Sequence, residues 1–239
     1  MHWADYTAQR LMERGDEQVS ASGITPSGEF HIGHLREILS AEMIHRACLD
    51  AGMSSKYIFI VDSMDPLRRV YDFLSPEYEE FIGCPLAYIP APDEDGSPGD
   101  GSVTYADHFL SPFLDSLEQI GVRPEVVMNH ETYERGLFAE YIDSAITNRE
   151  EIRSIIQQIS GRELPHDWFP YNPMGSGGSM DGVTVTGYEK PYVVWRDSSG
   201  NEGKSDIRKA HGKMPWRVDW AARWVIHGIT CEPAGKDHG

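Results

Sequence analysis

His31 and His34 are the side chains whose type and spacing most suggest chemistry. They sit in Gly23-Ile24-Thr25-Pro26-Ser27-Gly28-Glu29-Phe30-His31-Ile32-Gly33-His34, where an apolar stretch runs through a Pro/Gly turn into a helix start. Residues three apart on a helix share a face, so both imidazoles can be aimed at one ligand. Gly33 removes a Cβ where a ligand would press against the backbone. A helix N-terminus adds free N–H groups and partial positive charge, which favour phosphate. The helix reading is supported by the apolar period Ile32, Leu35, Ile38, Leu39 and Met43. Together these features predict a nucleotide held over the end of a parallel sheet. The competing reading is a helix start that carries two surface histidines.

A second polar cluster lies near the end of the chain. Ile229-Thr230-Cys231 reads as a core strand, and Ala234-Gly235 leads into Lys236-Asp237-His238. In a parallel sheet this cluster and the histidine pair project from the same edge. A lysine beside two histidines can neutralise phosphate charge as it develops in a transition state. An aspartate can accept from a ribose hydroxyl. The set suits attack on the α-phosphate of ATP; the alternative is a solvated tail. Trp216, Trp220 and Trp224 recur every four residues. Core packing is expected of two of them, and an indole can also cover the aliphatic stem of a bound cationic amino acid. Glu29, Asp62, Asp65 and Glu232 are the carboxylates available to its ammonium groups. Metal ligation is not expected: there is no Cys-x-x-Cys, and His108, His166 and His211 form no recognisable ligand spacing.

The elements that must position these groups follow from periodicity. Residues 1–15 read as a helix, 19–22 as a strand, and the helix after the histidine loop runs to about Ala51, with Gly52 as its C-cap. Tyr57-Ile58-Phe59-Ile60-Val61 is the continuous apolar run of a strand buried on both faces. It ends in Asp62-Ser63-Met64-Asp65-Pro66, where α/β folds place their sites. A helix is expected over 76–82, an acidic Pro/Gly surface loop over 90–103, a helix over 105–120 and a strand over 126–128. Residues 132–160 read as helical with a break near Thr147-Asn148. Strands are expected over 183–188 and 192–195, then a polar turn at 198–201 and a Trp-rich helix over 214–228. Strand and helix alternating at this spacing predict an α/β fold, a doubly wound parallel sheet with a small β-rich insertion. The boundaries are a core over 1–160, an insertion over 161–214 and a return to the core over 215–239.

The whole chain has 239 residues and a net charge of −17, with six Lys against fifteen Arg. Such a balance disfavours generic nucleic-acid binding, which depends on neutralising phosphates. Any RNA contact is therefore expected through local basic patches or through segments outside these 239 residues. Adaptation to high salt is a second explanation of the acidity. No apolar run approaches the roughly 20 residues of a membrane span, so no membrane partner is expected. Three scattered cysteines argue against a disulfide framework and for a reducing, cytoplasmic location.

The chain resembles the catalytic domain of class I lysyl-tRNA synthetases. The matching stretches are His2-Trp3-Ala4-Asp5, Ala21-Ser22-Gly23-Ile24-Thr25-Pro26-Ser27-Gly28, His31-Ile32-Gly33-His34, Leu35-Arg36-Glu37, Asp65-Pro66-Leu67-Arg68, Trp216 to Trp224 and Gly235-Lys236-Asp237-His238. They run the length of the chain, and the Trp-rich and Gly-Ile-Thr-Pro-Ser-Gly blocks are the most specific. The resemblance implies a Rossmann-like domain that activates lysine with ATP, Mg2+ accompanying it, and serves tRNA(Lys). It implies a lysine pocket of Gly23, Thr25, Trp216 and His238, an ATP site of His31, Gly33, His34 and Asp237, and catalytic roles for His31, His34 and Lys236.

Two departures stand out. The family's zinc-binding cysteines are missing around 174–178 and 196–203, so no structural zinc is expected. No Lys-Met-Ser-Lys-Ser-like loop or helical anticodon-binding domain follows Gly239, so the chain reads as a truncated portion with weak activity or none. The alternatives are a non-catalytic paralogue that binds lysine or an adenylate, and a stand-alone amino-acid adenylating enzyme.

Overall fold

A computed structural model describes residues 1–235. The elements in chain order are α1 (Trp3–Met12), β1 (Glu17–Ile24), α2 (Ile32–Asp50), β2 (Ser54–Val61), a 3₁₀ segment (Pro76–Phe81), α3 (Tyr105–Gln119), β3 (Glu125–Met128), α4 (Asn129–Glu134), α5 (Ala139–Thr147) and α6 (Arg149–Ser160). Then come β4 (Asn172–Pro173), β5 (Thr184–Glu189), β6 (Tyr192–Arg196), β7 (Glu202–Asp206), β8 (Gly212–Lys213) and α7 (Trp216–Ile226). Two compact units emerge: residues 1–65, 86–129 and 227–234 form one, and the other is built mainly of 66–85 and 130–226.

The first unit is an α/β layer around a parallel sheet in the order β1-β2-β3. From Tyr57 onward every residue of β2 is buried, as its unbroken apolar run requires. Residues 229–231 join the other edge of β1: Ser20 bridges Cys231 in parallel, and the Ala21 N–H donates to the Cys231 carbonyl at 2.9 Å. The order across the sheet is therefore 229–231, β1, β2, β3. Strands are added outward from β1 through β2 to β3 and then on its other side at 229–231, so the strand order reverses between β1 and 229–231, and open α/β sheets bind ligands beyond the strand ends at such a point.

On one face Ile24, Tyr57, Phe59 and Val61 pack with Ile38 and Ala41 of α2 and with Leu110, Phe113 and Leu117 of α3. On the other, Ala21, Ile58 and Ile60 cluster with Val19, Val127 and Ile229. Helix α1 packs Ala4, Ala8 and Leu11 against Ile44, Ala47 and Cys48. The stretch 90–103 is more organised than a plain surface loop. Pro90 pairs with Thr104 and Pro92 with Pro98, Ala91 is buried, and Asp95 and Asp100 accept N–H bonds at the turns from Ser97 and Ser102.

In the second unit, β5-β6-β7 form an antiparallel sheet with Val193↔Ser205 and Trp195↔Gly203 in register. The Trp195 indole N–H donates to Ser205 Oγ at 3.1 Å. Its ring covers the Gly203 Cα so closely that no side chain fits there. The helical stretch after residue 128 is three helices rather than one broken once. Asn148 makes the expected joint. A second break falls at residues 135–138, where Gly136 adopts φ 71° with the Arg208 carbonyl 2.9 Å from where a Cβ would stand. The helix expected over 76–82 is 3₁₀. Among the described residues no helix is long and apolar enough to cross a membrane.

The Trp-rich helix corrects an expectation. Core packing predicted two of three tryptophans inside, yet Trp216 and Trp224 are 38% and 40% exposed. The buried stripe of α7 is Asp219, Ala222 and Arg223. Tyr133, wholly buried, makes that polar stripe tolerable: its hydroxyl donates to Asp219 Oδ2 at 2.6 Å and accepts the Met214 N–H at 3.0 Å.

Candidate functional site

The loop that joins β1 to α2 is pinned at three points within the first unit. Thr25 Oγ1 donates to Asp65 Oδ2 at 2.7 Å, tying the ends of β1 and β2 together. The Tyr105 hydroxyl at the start of α3 donates to the Ser27 carbonyl at 2.9 Å. Phe30 stacks on Phe113 with centroids 4.3 Å apart and meets the His34 ring edge-on at 5.1 Å. Such anchoring holds a loop in one shape before any ligand arrives.

His31 is the N-cap of α2. Its Nδ1 accepts the Gly33 N–H at 3.0 Å, and His34 Nδ1 accepts the His31 N–H at 3.0 Å, a reciprocal capping box made of two imidazoles. An Nδ1 that accepts is unprotonated, so each neutral ring carries its proton on Nε2. The rings stack at 4.0 Å and 27°. Partial burial holds the His34 pKa below the ordinary histidine value, and the nearby His31 adds to the shift. The pair thus offers two neutral Nε2–H donors at a helix N-terminus.

Gly33 has a reason that the sequence did not suggest. A Cβ there would stand 2.7 Å from His31 Cε1, so the glycine makes room for the capping imidazole itself.

Sequence reasoning missed Glu37 as part of this site. After Ala21 has bonded to Cys231, the next N–H on that edge of β1 belongs to Gly23, and it donates to Glu37 Oε1 at 3.3 Å. The signals were its place in the matching stretch Leu35-Arg36-Glu37 and its spacing, three residues after His34 on α2. Asp65, expected as a carboxylate for a ligand ammonium, has one oxygen committed to Thr25 and is 6% exposed. Among the candidates, Gly23, Thr25, His31, Gly33 and His34 come together on this one segment. Trp216 stands at the start of α7 in the second unit with the Arg217 guanidinium 4.3 Å from its ring centroid. Lys236, Asp237 and His238 lie outside the described residues.

Residues 1–239 match the family of class I (K) tRNA synthetases. The chain belongs to the class I lysyl-tRNA synthetases. It is similar to the lysine–tRNA ligases of Picrophilus torridus (42% identical over 240 residues, 46% of that protein), Archaeoglobus fulgidus (43% over 239, 47%) and Methanocaldococcus jannaschii (41% over 243, 45%), each alignment covering all of this chain. The chain spans just under half the length of these relatives.

Membership in this synthetase family makes the two cysteine-free turns worth inspecting. Ser176 Oγ donates to Asp197 Oδ2 at 2.6 Å, and Asn201 Nδ2 to the same oxygen at 3.1 Å. Asp197 Oδ1 accepts the N–H groups of Ser199 and Asn201. These bonds, led by that of Ser176, hold the Asp197 carboxyl down at about 2. A thiolate zinc site does not fit here: the donors are one carboxylate, a hydroxyl and an amide, already bonded to one another. Among the described residues no group of three or more His, Cys, Asp or Glu is gathered to hold a metal.

Proposed function

We propose that this chain is the amino-acid-activating portion of a lysine–tRNA ligase, forming lysyl-adenylate from lysine and ATP for transfer to tRNA(Lys). The observation that carries the reading is the two-histidine cap, presented at the switch point of a parallel sheet. A lysine carboxylate oxygen attacks the α-phosphorus, the bond from that phosphorus to the bridging oxygen breaks, and pyrophosphate leaves with the electron pair. No covalent bond to the enzyme is needed, so its work is positioning and charge stabilisation.

In this reading the Nε2–H groups of His31 and His34 donate to ATP phosphate oxygens, next to the free N–H groups of α2. Gly33 keeps the cap intact. Gly23, Thr25, Trp216 and His238 are assigned to lysine, Asp237 to the nucleotide and Lys236 to the developing charge. Mg2+ enters as the counter-ion that ATP brings, and no step is assigned to it. The deciding experiment is calorimetric titration with a non-hydrolysable lysyl-adenylate analogue, with arginyl and glutamyl analogues as controls. Selective lysyl binding, weakened in Trp216→Ala and His238→Ala, supports the reading; a folded chain that binds none of the three overturns it.

A further inference from the structure

Residues 68–73, Arg-Arg-Val-Tyr-Asp-Phe, take no part in the site above. Arg68 and Arg69 are exposed, and among the described residues neither belongs to an ion pair. The Arg69 guanidinium lies 5.1 Å from the Tyr71 ring centroid. Tyr71 and Phe73 are parallel within 5°, centroids 5.6 Å apart, and Phe73 is 46% exposed. The result is a short layered stack of guanidinium, phenol and phenyl, with a second cation, Arg68, next in the chain.

In a chain of net charge −17, the exposed cations Arg10, Arg46, Arg123, Arg149, Lys190, Arg196 and Arg208 all face carboxylates, whereas Arg68 and Arg69 are among those that do not. Two arginines outside any ion pair, beside parallel rings of which Phe73 is exposed and Tyr71 half-buried, match what unpaired nucleotides need: cations for the phosphates and flat faces for the bases. Duplex RNA hides its base faces, so the stack selects a single strand.

We infer that residues 68–73 form a contact for single-stranded RNA, with a base stacking on the Tyr71–Phe73 pair and Arg68 and Arg69 taking adjacent phosphates. The choice of RNA among polyanions rests on the family reading above.

The test is fluorescence anisotropy of the 239-residue chain with a labelled single-stranded oligoribonucleotide of about eight nucleotides, titrated at several salt concentrations. Tyr71→Ala should weaken binding about ten-fold, as loss of one base–aromatic stack does, and Tyr71→Phe should restore it. Arg68→Gln with Arg69→Gln should flatten the dependence of log affinity on log salt by about 0.7 per lost phosphate contact. Lys56→Gln, at an exposed cation elsewhere, should change neither. Wild-type affinity in both the Tyr71→Ala and the Arg68→Gln/Arg69→Gln chains overturns the inference. So does equal binding of the matching duplex, or equal competition by inorganic polyphosphate or anionic lipid vesicles. Lysyl-adenylate analogue binding, run in parallel, should be unchanged in every variant; its absence from the wild-type chain speaks against the activation reading and leaves the RNA result to stand or fall alone.

Discussion

At the scale of single residues, the histidine pair caps the helix through Nδ1 and, in the function proposed above, meets ATP through the different atom Nε2. Substitutions can separate them. His31→Asn keeps a good capping acceptor and should hold stability close to wild type, yet weaken ATP binding, whereas His31→Ala should lose binding and also about 1 kcal/mol of stability. Gly33→Ala should behave like a cap mutant because the methyl displaces the His31 ring. Melting temperature and ATP titration calorimetry check all three. The sign for pH follows from the lowered His34 pKa. Its folded value is depressed below the unfolded one, so its cap contribution is full above about 6.5 and is lost as pH falls through the folded value. Protonation converts Nδ1 from acceptor to donor and breaks the bond from the His31 N–H. ATP binding should therefore collapse under mild acid rather than strengthen with added positive charge. Asp65 belongs to the same scale: Asp65→Ala removes the acceptor of Thr25, and it should cut lysine affinity about ten-fold in equilibrium binding. The motif letters made the two histidines legible. They hid the contact between Gly33 and the His31 ring and the bond from Gly23 to Glu37, because both depend on where a side chain folds back.

At the scale of elements, periodicity located what burial dictates and misjudged what polar networks dictate. The run at 57–61 became a fully buried strand, and the break at Asn148 stands where the turn residues put it. For α7, four-residue spacing of tryptophan pointed to the wrong face, because Asp219 and Arg223 lie inside instead. Hydropathy cannot anticipate that without knowing of Tyr133, 86 residues upstream of Asp219. Tyr133→Phe should cost about 2–3 kcal/mol, seen as a lower urea midpoint, since it leaves a buried carboxylate oxygen and the Met214 N–H without this partner. Asp197 makes a contrasting prediction. Its folded pKa of about 2 lies below the unfolded value near ~3.9, so its contribution is full above the unfolded value and disappears as pH falls towards 2. Asp197→Asn should lower stability at neutral pH and flatten the stability profile between these limits, measured by denaturant titration at stepped pH.

At the scale of the whole molecule, charge is unevenly shared. The first unit holds six of the 21 Lys and Arg but nineteen of the 38 Asp and Glu. Self-repulsion of that unit should ease with screening, so its melting temperature should rise between about 0.05 and about 1 M KCl, while RNA binding through residues 68–73 should fall over the same range. Opposite slopes in one titration series distinguish the two effects. The sheet that carries the histidine loop also depends on residues almost at the opposite end of the sequence. Ala21 finds its acceptor at Cys231, some two hundred residues later on the ribosome. Until that segment emerges, the nascent chain carries β1 with one open edge, a template on which a neighbouring polypeptide can add a strand. Among the described residues, translation order thus makes the edge of the sheet beside the candidate site the last to be sealed, and the stretch of synthesis before residue 229 the period when that edge is open to a chaperone.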